Sequence, residues 1–315
     1  MGKLHPQPPG PGVRLGCSFA GNSEWQVGSP RPWLLDSVAV TRLTGLLNKW
    51  RADLAAWAIP ESITAASTDS PWVLPKQVFA RRADRLTRNP GGASYERERE
   101  ALAPAGTVLD IGSGAGAACL PLTPLATMVT AVDTEQDMLT LLAERAAKAG
   151  LDLRTVHGGW PDVAHQVVPA DLVTCHHVLY NAPDVLPFLT ALTRHARRRV
   201  VVELTAAHPL TSLNPLWLRF HGLRRPTGPT AADLLAILAE AGVSAGHTEW
   251  SRPAEADYAG FDELVDVTRR RLCLPTDRTS EVEAALLDLG SSRERPGDLG
   301  SSGRDVVTIW WEGTA

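Results

Sequence analysis

The stretch Val-Leu-Asp-Ile-Gly-Ser-Gly-Ala-Gly, residues 108–116, decides how the rest of the chain is organised. It begins with branched apolar residues that suit a parallel strand buried on both faces. Three glycines follow at spacing two, where a bare backbone can turn sharply and approach a ligand: Gly112, Gly114 and Gly116. The next residues, 117–124, are predicted to start a helix. A strand, a glycine turn and a helix in this order form the first crossover of a nucleotide-binding sheet.

The glycine spacing alone is compatible with two classes of ligand. Gly112-x-Gly114-x-x-Ala117 also satisfies the relaxed dinucleotide fingerprint, so an NAD-type oxidoreductase is an alternative function. Asp110 disfavours it, because an acid there is poorly placed beside a pyrophosphate and suits a ligand with an ammonium and a sulfonium group. Asp133 ends a second apolar run about 20 residues on, where an acid can hold two ribose hydroxyls.

These motifs carry a resemblance to a known family. Residues 108–116 resemble the first motif of the class I S-adenosylmethionine-dependent methyltransferases, and residues 131–133 resemble the second. Residues 170–184 resemble the segment that closes the fourth strand in the small-molecule branch, in its bacterial type. The resemblance covers roughly residues 75–315. It implies S-adenosylmethionine as cofactor and methyl transfer to an O, N or C atom of a small-molecule metabolite.

Composition narrows the classes of partner. The chain has 315 residues, a hydrophobic content of 44%, a net charge of −4 and a sequence pI near 6.1. General nucleic-acid binders are usually basic, so no nucleic-acid partner is expected. The cysteines are scattered without metal-ligand spacing, which fits a reducing cytoplasm. No apolar run approaches ~18 residues, so neither a membrane span nor a secretion signal is expected.

The chain is predicted to have three parts. Residues 1–32 are rich in Pro, Gly and Ser and are predicted to be a disordered leader. Apolar residues recur at spacings of three and four between Leu34 and Trp57, which predicts an amphipathic helix. With helices near 76–86 and 96–103, it makes residues 33–103 an N-terminal helical cap. Residues 104–315 would then form the methyltransferase core.

Strands and helices alternate along the core, which predicts a doubly wound, Rossmann-like α/β sheet. The resemblance implies seven strands, the last of them antiparallel. Strands are predicted near 107–111, 128–133, 153–157, 170–176, 198–204, 243–251 and 305–312, and further helices near 135–149, 184–196, 230–241, 261–273 and 280–289. Residues 208–228 are predicted to be a lid-like loop, and residues 290–304 a flexible insertion.

Ligands of such sheets bind beyond the carboxyl ends of the strands, near the switch in strand order. The resemblance implies that the glycine turn wraps the methionine part of the cofactor and that Asp133 binds the ribose. It also implies that Thr134 and Met138 border the adenine. The resemblance also implies an acid where Gly159 stands. In its absence either Trp160 supplies a stacking face for adenine or Asp162 reaches toward it, and the alternative is that Trp160 is a core residue. The predicted cofactor-binding residues are Asp110, Gly112, Ser113, Gly114, Gly116, Asp133, Thr134, Met138 and Trp160. Arg81 or Arg82 is a candidate partner for the cofactor carboxylate, with a plain surface arginine as the alternative.

The catalytic candidates follow the fourth strand, in Cys-His-His-Val-Leu-Tyr-Asn at 175–181. Histidine titrates near neutral pH and can remove a proton from the acceptor or orient it. Strand alternation predicts that only one of His176 and His177 faces the methyl group, with His176 preferred. The alternative is that both simply shape the pocket.

By resemblance, the segment lacks the Asn-Pro-Pro-Tyr of enzymes that methylate nucleobase amino groups, and no Asp stands where related enzymes bind magnesium, so no metal is expected. Tyr180, Trp217 and His221 are predicted to contact the acceptor, and Glu203 ends the fifth strand. A non-catalytic member of the fold, which binds the cofactor as a partner subunit or sensor, is the main alternative function.

Overall fold

A computed structural model describes residues 37–65, 67, 70–72, 75–252, 258–294, 296 and 305–315. The predicted leader, residues 1–32, lies outside these ranges, as does most of the predicted insertion at 290–304. The strands are β1 (Gly106–Ile111), β2 (Ala126–Asp133), β3 (Leu153–His157), β4 (Ala170–His176), β5 (Ala196–Thr205), β6 (Gly246–Ser251) and β7 (Asp305–Glu312).

The α-helices of the described residues lie before the sheet and between its strands. They are α1 (Ser37–Ala55), α2 (Glu61–Thr64), α3 (Lys76–Arg88), α4 (Ala93–Ala101), α5 (Gln136–Ala149), α6 (Val185–His195), α7 (Asn214–His221), α8 (Ala231–Glu240), α9 (Phe261–Arg271) and α10 (Thr279–Asp288). No helix in the described part of the chain combines the length and apolarity needed to cross a membrane.

Within the described residues the strands form one sheet in the order β3-β2-β1-β4-β5-β7-β6. Neighbouring strands from β3 to β5 are parallel, whereas β7 runs antiparallel to both β5 and β6. The predicted seven-stranded, Rossmann-like sheet with an antiparallel last strand is therefore confirmed. Its strand order reverses between β1 and β4, and this places the expected ligand site beyond their carboxyl ends.

The two faces of the sheet bury separate apolar clusters. Alternation along β7 sends the neighbouring tryptophans to opposite faces, as the strand period requires. Trp311 lies in the cluster with α6 and α8, where its Nε1 donates to Thr193 Oγ1 at 2.9 Å. Trp310 packs against the cluster formed with α4 and α5, under the guanidinium of Arg97.

Helix α1 packs against α6 and α8, on the sheet face that Trp311 also covers. Trp50 anchors it: the ring is fully buried and its Nε1 donates to the carbonyl of Ala182 at 3.0 Å. Helix α3, by contrast, contributes residues to the wall of the ligand cleft. The division into a cap and a core stays a prediction, and the helices of the predicted cap pack in different places.

The strand positions agree with the sequence prediction to within a few residues, but one helix does not. The prediction of a helix over 117–124 is wrong: the chain there forms turns and one short 3-10 helix, Leu120–Leu122. Pro121 explains the difference, because it lacks an N–H donor and disfavours helical geometry at the residue before it.

The connection at 208–228 is more ordered than the predicted lid-like loop. It contains a 3-10 helix, Pro209–Leu213, and then α7, and both pack with α9 and α10. Its ends are tied to the region after α1: the ring of His208 stacks on Trp57 at 4.1 Å, and Trp57 Nε1 donates to the carbonyl of Gly228 at 2.6 Å.

Candidate functional site

A cleft of about 420 Å³ opens at the carboxyl ends of β1 and β4, where the strand order reverses. The sheet contributes its strand ends, the turn after β1 forms one wall, and α3 forms another. A volume of this size lies in the range of small-molecule and cofactor sites. The lining includes Phe79, Arg82, Asp110, Gly112, Ser113, Gly114, Val132, Asp133, Thr134, Met138, Gly159, Trp160, His176, His177, Val178, Glu203 and Arg252.

The glycine turn after β1 requires residues without a side chain. Gly112, Gly114 and Gly116 all have positive φ, at 70°, 50° and 91°, in the left-handed region that other residues rarely adopt. A Cβ on Gly112 would lie 2.3 Å from Val178 Cγ2, so close packing also demands glycine there. Gly116, predicted to bind the cofactor, does not line the cleft, and a Cβ there would meet Leu142 at 2.5 Å.

Asp133, at the end of β2, joins the glycine turn to the next segment. Its Oδ2 accepts the backbone N–H of Gly114 at 2.8 Å, and its Oδ1 accepts that of Glu135 at 2.9 Å. Each carboxylate oxygen can accept more than one hydrogen bond, so both retain capacity for ligand hydroxyls. Asp133, which is predicted to bind the ribose, therefore also holds the shape of the glycine turn.

Asp110 and Ser113 fit a cationic and polar ligand. Both line the cleft and are buried, and among the described residues Asp110 Oδ2 and Ser113 Oγ have no hydrogen-bond partner. Burial raises the pKa of Asp110 to about 7, against the opposing effects of the Cys119 thiol and His176. A buried carboxylate oxygen without a partner is costly, and an ammonium or sulfonium group nearby would satisfy it. These residues therefore fit S-adenosylmethionine.

The residues predicted for the adenine end also line the cleft. Thr134 and Met138 follow β2, and Trp160 follows β3. The indole of Trp160 is partly buried and its Nε1 lies 3.4 Å from the carbonyl of Phe188, so one edge is held while the ring borders the cleft. A Cβ on Gly159 would meet Thr134 Cγ2 at 3.9 Å, an ordinary contact distance.

His176 forms an ion pair with Glu98, a residue of α4. The distance from His176 Nε2 to Glu98 Oε1 is 2.9 Å, with only 2% of the Glu98 side chain exposed. Thr174 Oγ1 donates to the same carboxylate oxygen at 2.6 Å. Burial alone would lower the pKa of His176, but the neighbouring carboxylates, Glu98 above all, outweigh it and raise this pKa to about 9. His176 is therefore protonated at neutral pH.

His177 lies in a different electrostatic setting. Its Nε2 lies 2.9 Å from Glu203 Oε1, and Arg252 pairs with the same carboxylate oxygen. Burial lowers the pKa of His177 despite Glu203, and the nearby Arg252 and Arg82 charges add to this effect. The pKa of Glu203 is held well below its usual range, because Arg252 and the histidines overcome the effect of burial. Ser94 Oγ donates to the other Glu203 oxygen at 2.6 Å.

Both histidines line the same cleft, so strand alternation does not send them to opposite faces of the sheet; that only one of them faces the methyl group stays a prediction. Strand β4 ends at His176, and His177 adopts a left-handed conformation with φ of 59°. Strand alternation therefore no longer applies between them. The backbone N–H of His177 donates to the carbonyl of Glu203 at 2.8 Å, which holds this turn.

The three residues predicted to contact the acceptor are not in the cleft lining of the described part. Tyr180 points its hydroxyl at Thr205, with 2.5 Å between the two oxygens. Trp217 is buried in the cluster of α7, α9 and α10, and His221 Nε2 lies 2.7 Å from the carbonyl of Leu272. The structure thus does not bring these residues to His176.

Several site residues were missed at the level of sequence, and Glu98 is the clearest. Helix α4 buries Ser94, Glu98 and Ala101 on one face, where a structural helix usually buries larger apolar residues. A polar face of this kind could have indicated that Glu98 belongs to the site. No local sequence pattern indicates the same for Arg252, which lies just after β6. Of the two candidate arginines, Arg82 lines the cleft, whereas Arg81 pairs with Glu263 at 2.5 Å.

Comparison with known proteins agrees with this architecture. Residues 108–199, from within β1 to the start of β5, match the family model described as a methyltransferase domain. Residues 108–199 of this chain therefore carry a methyltransferase domain. The family predicted from the motifs is thus confirmed, and with it S-adenosylmethionine as the cofactor of this class.

Among curated proteins, this chain is 28% identical over 172 residues to the ubiquinone biosynthesis O-methyltransferase of Caulobacter vibrioides. The match covers 52% of this chain and 60% of that protein, so it spans less than two thirds of the relative.

Two solved structures are also similar to this chain. The YcgJ protein of Bacillus subtilis aligns with a TM-score of 0.45 and 18% identity, over 69% of this chain and 99% of that one. The magnesium protoporphyrin IX methyltransferase of Synechocystis, with bound SAH, aligns with a TM-score of 0.40 and 19% identity, over 56% and 94%.

Proposed function

We propose that the protein transfers a methyl group from S-adenosylmethionine to a small-molecule acceptor. The observation that carries the proposal is one cleft that brings together two chemically distinct sets of residues. One set is the glycine turn and Asp110, whose Oδ2 is buried without a partner among the described residues. The other set is His176 and His177, each beside a buried glutamate.

When bound, the cofactor supplies a sulfonium-activated methyl group. The residues of the cleft have the task of aligning an acceptor with that group, because alignment accounts for much of the acceleration of an in-line displacement. His176, protonated at neutral pH, is suited to donate a hydrogen bond that orients the acceptor. It becomes available as a base once it loses its proton, at a pH near its pKa of about 9.

Binding of S-adenosylhomocysteine, measured by calorimetry, tests the cofactor half of the proposal. Incubation with labelled S-adenosylmethionine and a broad panel of small acceptors tests the catalytic half. His176→Asn is expected to lower turnover about 100-fold while cofactor affinity changes little. Thr190→Val, on the outer helix α6, is the control and should leave both unchanged.

A non-catalytic role as a cofactor-binding partner or sensor makes a different prediction. Tight S-adenosylhomocysteine binding without methylated product across the whole panel would favour that role and contradict the enzymatic proposal. Thermal protection by NADH but not by S-adenosylhomocysteine would contradict both, because ligands stabilise the state that binds them.

A further inference from the structure

A second, smaller space adjoins the cleft, and we call it the side chamber. Its volume is about 30 Å³, and it shares His176, Glu203 and Arg252 with the cleft lining. A space of this size has room for about one or two water-sized groups. It can therefore admit the reacting group of an acceptor but not a ring.

The side chamber combines apolar walls with a polar end. Leu86, Pro90 and Pro121 contribute apolar surface, whereas α4 contributes Ser94 and Glu98. Any polar group that enters must lose its water, and hydrogen bonds from the protein must replace those it loses. The polar groups of this chamber therefore determine which chemical group it accepts.

The charged side chains of the chamber are already paired with one another. Glu98 faces His176 at 2.9 Å, and Glu203 pairs with Arg252, whose side chain is 10% exposed. A charged group that displaced either partner would leave a buried charge uncompensated, which is strongly unfavourable. A neutral group leaves both pairs intact.

The charge of the cleft and chamber together disfavours an anionic acceptor. The described lining has more carboxylates than cations: Asp110, Asp133, Glu135, Glu98 and Glu203 against Arg82, Arg252 and protonated His176. The methyl donor has a carboxylate, an ammonium and a sulfonium group, so its net positive charge reduces this excess. An anion would increase it again. An alkylammonium acceptor has no free lone pair with which to attack the methyl carbon.

A hydroxyl group is small and neutral, as the side chamber requires, and it has a lone pair with which to attack. Its oxygen can accept a hydrogen bond from the imidazolium of His176, and its proton can be donated to a carboxylate of the chamber. Resting on the proposed methyltransferase function, we propose that the side chamber receives the neutral hydroxyl group of the acceptor, and that the Glu98–His176 pair selects against charged groups there. In the transfer, the hydroxyl oxygen bonds the methyl carbon, the electrons of the broken carbon–sulfur bond remain on sulfur, and the hydroxyl proton passes to the chamber carboxylate, Glu98 or Glu203, that accepts its hydrogen bond.

Histidine-labelled protein saturated with S-adenosylhomocysteine provides the test. Phenol, benzoate and benzylammonium, which place a neutral, an anionic and a cationic group on one ring, are titrated while the ring signals of His176 are followed by NMR. The His176 signals are assigned by their loss in His176→Gln. Phenol is expected to shift them at millimolar concentration, and the two ions to bind at least about tenfold more weakly.

Glu98→Gln keeps the shape of the side chain but removes the charge that compensates His176. In this variant the benzoate carboxylate can supply the missing negative charge beside His176 and favour its proton again, so benzoate is expected to bind about tenfold more tightly, while phenol still binds. Glu100→Gln is the matched control, because Glu100 lies on the same helix with an exposed side chain and should change nothing.

Two results would overturn the inference. One is binding of benzoate or benzylammonium to the wild type as tightly as phenol, and the other is the absence of any phenol-dependent shift of His176. Failure of the proposed function can be distinguished from failure of this inference, because binding of S-adenosylhomocysteine is measured by calorimetry before the titration. If the protein does not bind S-adenosylhomocysteine, the function itself is contradicted; if it binds but phenol leaves His176 unchanged, only the role of the side chamber is.

Discussion

The carboxylate of Glu98 lies 2.9 Å from the imidazole of His176, although 78 positions separate them in the chain. The pair joins α4, which precedes the sheet, to the end of the fourth strand, and it lies where the cleft and the side chamber meet. Because burial opposes the charge on His176 and the glutamate favours it, this contact decides the charge beside the proposed acceptor position.

The first prediction concerns the pH dependence of folding stability. The pKa of His176 is raised from 6.5 to about 9 in the folded protein, so its contribution is full below about pH 6.5 and is lost as the pH rises through about 9. Of the carboxylates that face it, Asp110 titrates near pH 7 and Glu203 far below. The loss expected between about pH 7 and 9 is about 2 kcal/mol at most.

Urea unfolding at several pH values measures this loss. Glu98→Gln should be less stable at neutral pH and should flatten the slope above pH 7, because the proton on His176 is then no longer favoured. Glu100→Gln should retain the wild-type slope. An unchanged slope in Glu98→Gln would show that another group is responsible for the titration.

The second prediction is a proton released when the cofactor binds. Burial raises the pKa of Asp110 to about 7, and a bound ammonium or sulfonium group nearby would return this carboxyl to its charged form. Affinity for S-adenosylmethionine should therefore rise with pH, by up to about tenfold per pH unit below pH 7. Calorimetry in buffers with different ionisation enthalpies counts the released protons directly.

Asp110→Asn should abolish this proton release and weaken binding about tenfold to a hundredfold, the usual size of a lost charged hydrogen bond. Asp137→Asn, at an exposed acid on α5, provides the control and should bind as the wild type does. Proton release that persists in Asp110→Asn would assign the titration to a different residue.

The third prediction concerns the glycine turn. Gly112→Ala combines a positive φ of 70° with a Cβ placed 2.3 Å from Val178, so it should cost about 2–5 kcal/mol of stability and weaken cofactor binding. Gly45→Ala is the comparison, since nothing lies within 4 Å of its Cβ and it is exposed in α1. That change should stabilise slightly. Adding Val178→Ala to Gly112→Ala should recover part of the loss, and urea unfolding measures all three variants.

The sheet could be predicted from sequence because its strands are local apolar runs with a characteristic order. Residues 153–157, 170–176 and 305–312 form strands with the predicted bounds. That Asp110, Gly112, Gly114 and Asp133 share one cleft could be predicted for the same reason, since they lie at or just after the ends of β1 and β2, which the sheet topology brings together. In these places the chemistry follows directly from the order of elements.

The surroundings of His176 and Glu203 could not be predicted from sequence, because the residues that contact them come from distant parts of the chain. Glu98 and Arg252 reach His176 and Glu203 only through tertiary packing, which no local pattern encodes. The left-handed conformation of His177 is likewise a local exception to the strand period that was used to orient it. Trp217 and His221 are predicted to contact the acceptor because they are aromatic residues on a long connection. That connection instead folds into a helix that packs in its own apolar cluster.

The fourth prediction separates the role of α1 from that of the cleft. Trp50 is fully buried against the sheet face opposite α3 and α4, and it donates to the carbonyl of Ala182. Trp50→Ala should therefore lower the free energy of unfolding by about 3–5 kcal/mol. Trp72→Ala, at a ring that is 54% exposed, should change it by no more than about 0.5 kcal/mol.

Calorimetry below the unfolding transition should give both variants the wild-type affinity for S-adenosylhomocysteine, because neither ring lines the cleft. A selective loss of affinity in Trp50→Ala, with stability preserved, would instead make α1 part of the binding site.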